Sequence, residues 1–235
     1  MQDLTGLLSD ALRLLADFDG SLVEIVALSL EVSLGAVVIS GIIGLPLGAL
    51  IAISRFPGRG GLIILVNALM GLPPVVVGLI VYLMLSNAGP LGVLQLLYTP
   101  AAMIIAQTVL VTPIVTALAR QTLEDLNAEY GEQLTAFGVG RWGRVATLVW
   151  DGRYSLLTAL LAGFGRAIAE VGAVIIVGGN IDHVTRVMTT AIALETSRGN
   201  LALALALGFV LMVLAVAVNG LVMALKLTAP RSAHA

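Results

Sequence analysis

The sequence predicts an all-α membrane protein, a polytopic helical bundle of about five transmembrane helices, and three observations lead there. Of 235 residues, 59% are hydrophobic and 11% charged, with a mean hydropathy of +1.05, which is more apolar than a soluble core of this length requires. Predominantly apolar runs cover residues 22–54, 62–86, 98–119, 154–178 and 201–225, each reaching the roughly 20 residues that cross ~30 Å of hydrocarbon as a helix. Runs such as Ala36-Val37-Val38-Ile39 belong to segments that stay apolar for several turns, whereas a membrane barrel needs short strands alternating between lipid and lumen.

The N-terminal segment, residues 1–20, is read as interfacial. Leu4, Leu7, Leu8, Ala11 and Leu15 recur at helical spacing with Asp10 and Arg13 opposite, which describes a helix lying in the interface and too short to cross. The first span follows; Glu31 can sit near its outer end because residues 32–54 are long enough alone. Pro73-Pro74 in the second span and Pro113 in the third remove backbone donors, so each marks a kink, or in the case of Pro73-Pro74 a mobile joint.

Charge placement orients the chain. Arg55 and Arg59 follow the first span, Arg120, Arg141, Arg144 and Arg153 lie between the third and fourth, and Lys226 and Arg231 follow the fifth. Five crossings put all three groups on one side, the cytoplasmic side by the positive-inside rule. The N-terminus, with Asp3, Asp10, Asp17, Asp19 and Glu24, is then outside, and no basic n-region marks a cleaved signal peptide. Residues 184–200 are read as re-entrant: Val187 to Leu194 is apolar but far shorter than a span, and Glu195-Thr196-Ser197-Arg198-Gly199-Asn200 closes it. The whole is expected to form one transmembrane domain, residues 1–235, with its core at 22–227 and a cytoplasmic loop at 121–153. With about ten residues after the last span, no regulatory domain is expected.

Several chemistries are set aside by composition. Cysteine is absent and histidine occurs only at His183 and His234, so neither a metal cluster nor thiol catalysis is expected. Lys226 is the only lysine and is not preceded by a glycine-rich loop, which rules out a GxxxxGK[ST] nucleotide site. No catalytic residue, metal ligand or resident cofactor is assigned, and nucleic acid is not an expected partner. Gly35, Gly41, Gly44 and Gly48 lie inside the first span, where small residues let helices approach closely.

The polar island within 121–153 carries the functional signal. Asn127 to Gly138 reads as a short amphipathic helix lying across the membrane surface, with Leu126, Tyr130, Leu134 and Phe137 near one face and Glu124, Asp125, Glu129 and Glu132 elsewhere. Gly138 would end it in the left-handed conformation, and Gly140 and Gly143 add freedom beyond. A loop of this length with its own helix and exposed aromatics is more often functional than a plain connector.

Glu132-Gln133-Leu134-Thr135-Ala136-Phe137-Gly138, followed after nine residues by Leu148-Val149-Trp150-Asp151, resembles the EAA signature of type I ABC importer permeases. Glu132 and Gly138 match it; Gln133 and Leu134 replace the two alanines, Leu148 and Trp150 stand for the hydrophobic pair, and Asp151 replaces the proline. The resemblance runs from about Val23 to Leu227 and is nearest to tungstate and molybdate permeases. It is carried there by Gly71-Leu72-Pro73-Pro74-Val75-Val76-Val77-Gly78, Gly165-Arg166-Ala167-Ile168-Ala169-Glu170-Val171-Gly172-Ala173, Val177-Gly178-Gly179-Asn180-Ile181 and Thr189-Thr190-Ala191-Ile192-Ala193-Leu194-Glu195.

That resemblance implies a type I ABC importer permease fold with a cytoplasmic coupling helix, in the cytoplasmic (inner) membrane of a bacterium or archaeon. It implies a homodimer forming the pathway, two cytoplasmic ABC ATPase subunits that hold ATP and Mg, and an extracytoplasmic oxyanion-binding protein. Glu132, Gln133, Leu134, Phe137, Gly138 and Arg141 become the ATPase-coupling residues, with Leu134 and Phe137 in the buried part of the contact.

Within the membrane, Arg166 and Glu170 lie roughly 18–24 Å from Tyr154 at 1.5 Å per residue. Four apart on one helix face, they can pair, offsetting part of the ~2.5–3.5 kcal/mol insertion cost of an isolated charge. The residues leave open whether the pair holds helices together or gates a pathway. Asn180, Thr185, Thr189 and Thr190 are candidate weak donors for an anion in transit, or caps of the short helix beside them. Arg166, Glu170, Asn180, Thr189 and Thr190 form the candidate pathway or gate set. A secondary transporter or channel working without an ATPase is the alternative, although no duplicated half is visible and Glu170 is the only deep acid. A structural or regulatory membrane subunit would use the polar island only for binding.

Overall fold

The computed structural model describes residues 4–17 and 19–228; Asp3, Arg231 and His234 lie outside the described residues. The helices are α1 (Leu4–Ala16), α2 (Gly20–Ile53), α3 (Arg59–Leu69), α4 (Pro74–Leu85), α5 (Pro100–Ala136), α6 (Arg141–Asp151), α7 (Arg153–Ile168), α8 (Gly172–Gly178), α9 (Met188–Arg198) and α10 (Leu201–Thr228), with a 3-10 turn at Gly92–Leu94. No strand occurs among the described residues.

Among the described residues only α2, α5 and α10 are long and apolar enough to cross a membrane unbroken; counting α3 with α4 and α7 with α8 as broken spans brings the number to five. The second and fourth runs, expected as single helices, therefore stop and restart. In the second, Pro73 caps α4 in extended conformation and Pro74 is its first residue. There the missing N–H costs nothing, whereas a continuous helix would lose it as a donor. Pro46 and Pro113, by contrast, lie inside α2 and α5.

The chain divides into two compact units, each assembled from three stretches. One comprises Met1–Ala36, Pro73–Val109 and Gly165–Ala217, the other Val37–Leu72, Leu110–Phe164 and Val218–Ala235. In the first unit α4 and α8 meet backbone to backbone: a Cβ at Gly78 would stand 2.7 Å from the Cα of Ala173. Val77, Val81, Met103, Val174 and Val177 are buried around that contact. Here α1 buries Leu7 and Ala11 and exposes Leu12, so part of the stripe expected to face lipid is covered by protein.

In the second unit the C-terminal half of α2 lies against α5. A Cβ at Gly48 would come within 2.8 Å of the Ala119 Cβ and the Thr116 carbonyl, which is the close approach that small residues permit between membrane helices. Below it, Ala49, Ala52, Ala119, Leu123, Leu148 and Leu156 form a buried apolar cluster, with Leu45, Ile53, Leu126, Leu134 and Val145 packed around it.

Candidate functional site

The polar island is built differently from the separate helix expected over Asn127–Gly138. Those residues are the end of α5, which runs unbroken for 37 residues. Ala119 to Ala136 is rich in alanine, leucine, glutamate, glutamine and arginine, and the lone Gly131 is too weak a breaker to stop a helix already propagating. The stop comes at Gly138, at φ +70°. Gly138 N donates to Thr135 O at 3.0 Å and Val139 N to Leu134 O at 2.9 Å, the paired closure of a Schellman motif with glycine in its left-handed position.

The short amphipathic helix of this region is α6. Its Leu148 is fully buried in the apolar cluster, while Trp142 and Trp150 are 86% and 68% exposed. Arg144 ties α6 back to α5 through a 2.5 Å hydrogen bond to Thr135 Oγ1. The Arg153 guanidinium carbon lies 4.7 Å from the ring centres of both Trp150 and Tyr154, a cation–π arrangement that fixes the α6–α7 junction.

Glu132, Gln133, Phe137, Gly138 and Arg141 are exposed, and Phe137 is 82% so. Leu134 is half-buried and packs on the chain's own cluster. Trp142, outside the expected coupling set, completes the exposed apolar surface. Its signal lies in Val145 and Leu148, whose spacing gives residues 141–151 a buried stripe.

Arg166 and Glu170 do pair, but across a helix end rather than along one face. α7 stops at Ile168 and Glu170, 5% exposed, sits in the break before α8. Its second carboxylate oxygen accepts the Ala173 N–H at 3.2 Å and its carbonyl accepts the Thr189 hydroxyl at 2.7 Å. The Ala167 carbonyl at the end of α7 accepts the Glu170 N–H at 3.1 Å and, as a second donor, Gln107 Nε2 at 3.1 Å. A void beside Ser29, Gln107, Glu170 and Thr189 has a volume of about 10 Å³, room for no more than one water and too small for a tetrahedral oxyanion.

The candidate donors are engaged with backbone. Thr185 Oγ1 donates to Gly178 O at 2.5 Å and accepts Ile181 N–H at 2.9 Å. Thr190 Oγ1 donates to Val187 O at 3.0 Å and accepts Val187 N–H at 3.2 Å, while Ser29 Oγ receives the Met188 N–H at 2.8 Å. Asn180, at φ +52°, donates to Thr190 O at 3.4 Å and its Oδ1 is buried without a partner. α9 has 11 residues, about 16 Å of helix, so it does not cross by itself, as its sequence suggests. In the loop before it, His183 Nδ1 stands 2.7 Å from Glu24 Oε2, and that carboxylate, with Asp182, raises the imidazole above its ordinary pKa.

A polytopic helical chain with broken spans and an exposed aromatic loop closed at a left-handed glycine has the features of a permease that works with soluble partners. Residues 44–226 match the family described as binding-protein-dependent transport system inner membrane component, and the chain belongs to it. It is 41% identical over 205 residues to a probable anion ABC transporter permease protein of Haloferax volcanii, covering 85% of this chain and 88% of that one. Identity to the tungstate uptake system permease protein TupB of Peptoclostridium acidaminophilum is 39% over 216 residues, or 92% and 95% of the two chains. Against the molybdenum transport system permease protein ModB of Azotobacter vinelandii it falls to 27% over 175 residues, 71% and 77% of the chains.

Proposed function

We propose that this chain is the membrane-spanning subunit of an ATP-driven tungstate importer. It acts as a homodimer with two cytoplasmic ATPase subunits, which hydrolyse ATP with Mg, and an extracytoplasmic binding protein that delivers the anion. The observation that carries the reading is 39% identity to a tungstate permease over nearly the full length of both chains, against 27% for a molybdenum permease. Molybdate, with the same charge and tetrahedral shape, is the expected second cargo.

The arginines at 55, 59, 120, 141, 144 and 153 support an N-terminus outside and a cytoplasmic loop joining α5 to α7, by the positive-inside bias. Phe137 and Trp150 present the apolar anchors to the ATPase, with Glu132, Gln133 and Arg141 around them; exposed aromatics of this kind dominate binding energy at protein contacts. The Schellman closure at Gly138 and the Arg144–Thr135 bond make the junction of α5 and α6 stiff enough to pass on a displacement between two discrete positions. In the pathway, Arg166 and Glu170 act as a gate pair rather than an anion cage, since the carboxylate repels a dianion. Asn180, Thr189 and Thr190 line the same end, and their backbone bonds exchange when the gate moves.

ATP hydrolysis in proteoliposomes containing this chain, its ATPase and its binding protein tests the reading. Stimulation by tungstate that needs all three components, exceeds that by molybdate and is absent with sulfate is expected. An isolated chain that transports tungstate without an ATPase would overturn it.

A further inference from the structure

Two grooves of the second unit adjoin and share lining residues. The polar one, about 460 Å³, lies between the end of α2, the start of α3, and α5 with α6, and is lined by Arg55, Arg59 and Arg144 together with Glu124, Asn127 and Glu132. The apolar one, about 430 Å³, is lined by Pro46, Ala49, Leu50 and Ile53 of α2 and by Trp142 and Val145 of α6. Ile53 and Ser54 belong to both.

The polar groove carries three arginines against two carboxylates, Glu124 and Glu132. Glu124 is neutralised twice, by Arg59 at 2.8 Å and by Arg120. Arg55 is exposed and forms no ion pair among the described residues. Arg144 spends one nitrogen on a neutral hydroxyl and its Nε is buried without a partner. A guanidinium offers five N–H donors in a planar fork suited to phosphate oxygens, and these three retain unfilled ones. The apolar groove follows α2 along a face where Leu47 and Leu50 are 43% and 58% exposed, and Trp142 lines it, a residue type that favours the membrane–water boundary.

We infer that this composite groove is a binding site for an anionic phospholipid of the cytoplasmic leaflet. Its phosphate is held by Arg55, Arg59 and Arg144, and one acyl chain lies along Pro46, Leu50 and Ile53 beneath Trp142. A free phosphate would use only the first groove, whereas the adjoining apolar groove lined by Pro46, Ala49, Leu50 and Ile53 suits an acyl chain. The site joins the bilayer to the base of α6, so the lipid's headgroup stabilises the seat of that helix.

The chain has two tryptophans, Trp142 and Trp150, so Trp150→Phe leaves Trp142 as the sole reporter. In nanodiscs, phosphatidylglycerol brominated on its acyl chains is expected to quench that variant ~twofold or more above brominated phosphatidylcholine at equal mole fraction, and Arg55→Gln/Arg144→Gln should remove the difference while Arg55→Lys/Arg144→Lys keeps most of it. If the double glutamine variant aggregates, Arg55→Gln alone, altering an exposed side chain, is read instead and must lower the preference. Equal quenching by the two lipids overturns the inference, as does a preference that survives the glutamine changes. Loss of the preference on adding inorganic phosphate at matched ionic strength would assign the groove to free phosphate. Loss on adding the ATPase would assign it to that subunit, and either result rejects the lipid.

Discussion

The hydroxyl of Thr189 donates to the main-chain carbonyl of Glu170 over 2.7 Å, so the first turn of α9 is fastened to the break between α7 and α8. Both residues are buried, at 8% and 5% exposure. Thr189→Val keeps the shape and leaves that carbonyl without its donor, which should cost about 1–3 kcal/mol. A thermal-unfolding series in detergent should show the loss for valine and its recovery for Thr189→Ser; equal melting of all three would show that the bond does not hold the break.

Arg166 and Glu170 should respond unequally to removal. Arg166 is 37% exposed and can be resolvated, whereas Glu170 is 5% exposed. Arg166→Gln therefore leaves a buried carboxylate without its cation, and a loss of about 2–4 kcal/mol is expected, toward the lower side of the range for fully buried pairs. Glu170→Gln, still able to accept the Ala173 N–H, should cost less. Comparing the two midpoints decides it, and a larger loss for Glu170→Gln would show that the carboxylate is not the constrained partner.

Gly138 is at φ +70° and a Cβ there meets nothing within 4 Å, so the penalty for substitution is conformational alone. Gly138→Val should cost about 1–2 kcal/mol locally and raise the ATP hydrolysed per tungstate transported, because a frayed α5 end transmits less displacement. Gly138→Asn, which tolerates the left-handed region better, should fall between. Wild-type stoichiometry in the valine variant would remove this glycine from the coupling path.

Phe137 and Leu134 separate docking from packing. Phe137 is 82% exposed, so Phe137→Ala should leave the melting temperature within the ~0.5 kcal/mol range of surface changes while weakening ATPase association by about tenfold or more. Leu134, set into the apolar cluster, should do the reverse when truncated to alanine, losing stability first. Association measured on immobilised ATPase, alongside melting, distinguishes the two.

The Glu24–His183 contact should confer a pH dependence. Its carboxylate raises the imidazole pKa above the ordinary 6.5. A raised folded-state value means that the stabilisation is fully present below about pH 6.5 and is lost as pH rises through the higher folded pKa. Asp182 reinforces the shift and Arg186 opposes it. Melting temperature against pH from 5.5 to 8.5, a window set around the ordinary imidazole value, should fall more for the native chain than for His183→Ala. Parallel curves would show that the contact is not populated.

What the sequence determined by itself was whatever rests on local composition and period. Long apolar runs define α2, α5 and α10; the left-handed glycine at Gly138 and the four-residue spacing of Arg166 and Glu170 were readable because both are short-range features. It also carried the family resemblance through Glu132, Gly138 and the motifs around Pro73 and Arg166. The tertiary structure decided which amphipathic stripe is covered and where a span breaks. Leu134 lies on its chain's own cluster because Ala49, Ala52 and Leu156, distant in sequence, complete that cluster. At the break the Glu170 carbonyl takes its hydrogen bond from Thr189, 19 residues away, and Gln107, 60 residues from Ala167, adds a second donor to a carbonyl that the Glu170 N–H already serves. A helix end inside an apolar run is stable only if such partners arrive to replace the lost hydrogen bonds, and their arrival depends on the packing of the folded chain, which no local pattern records.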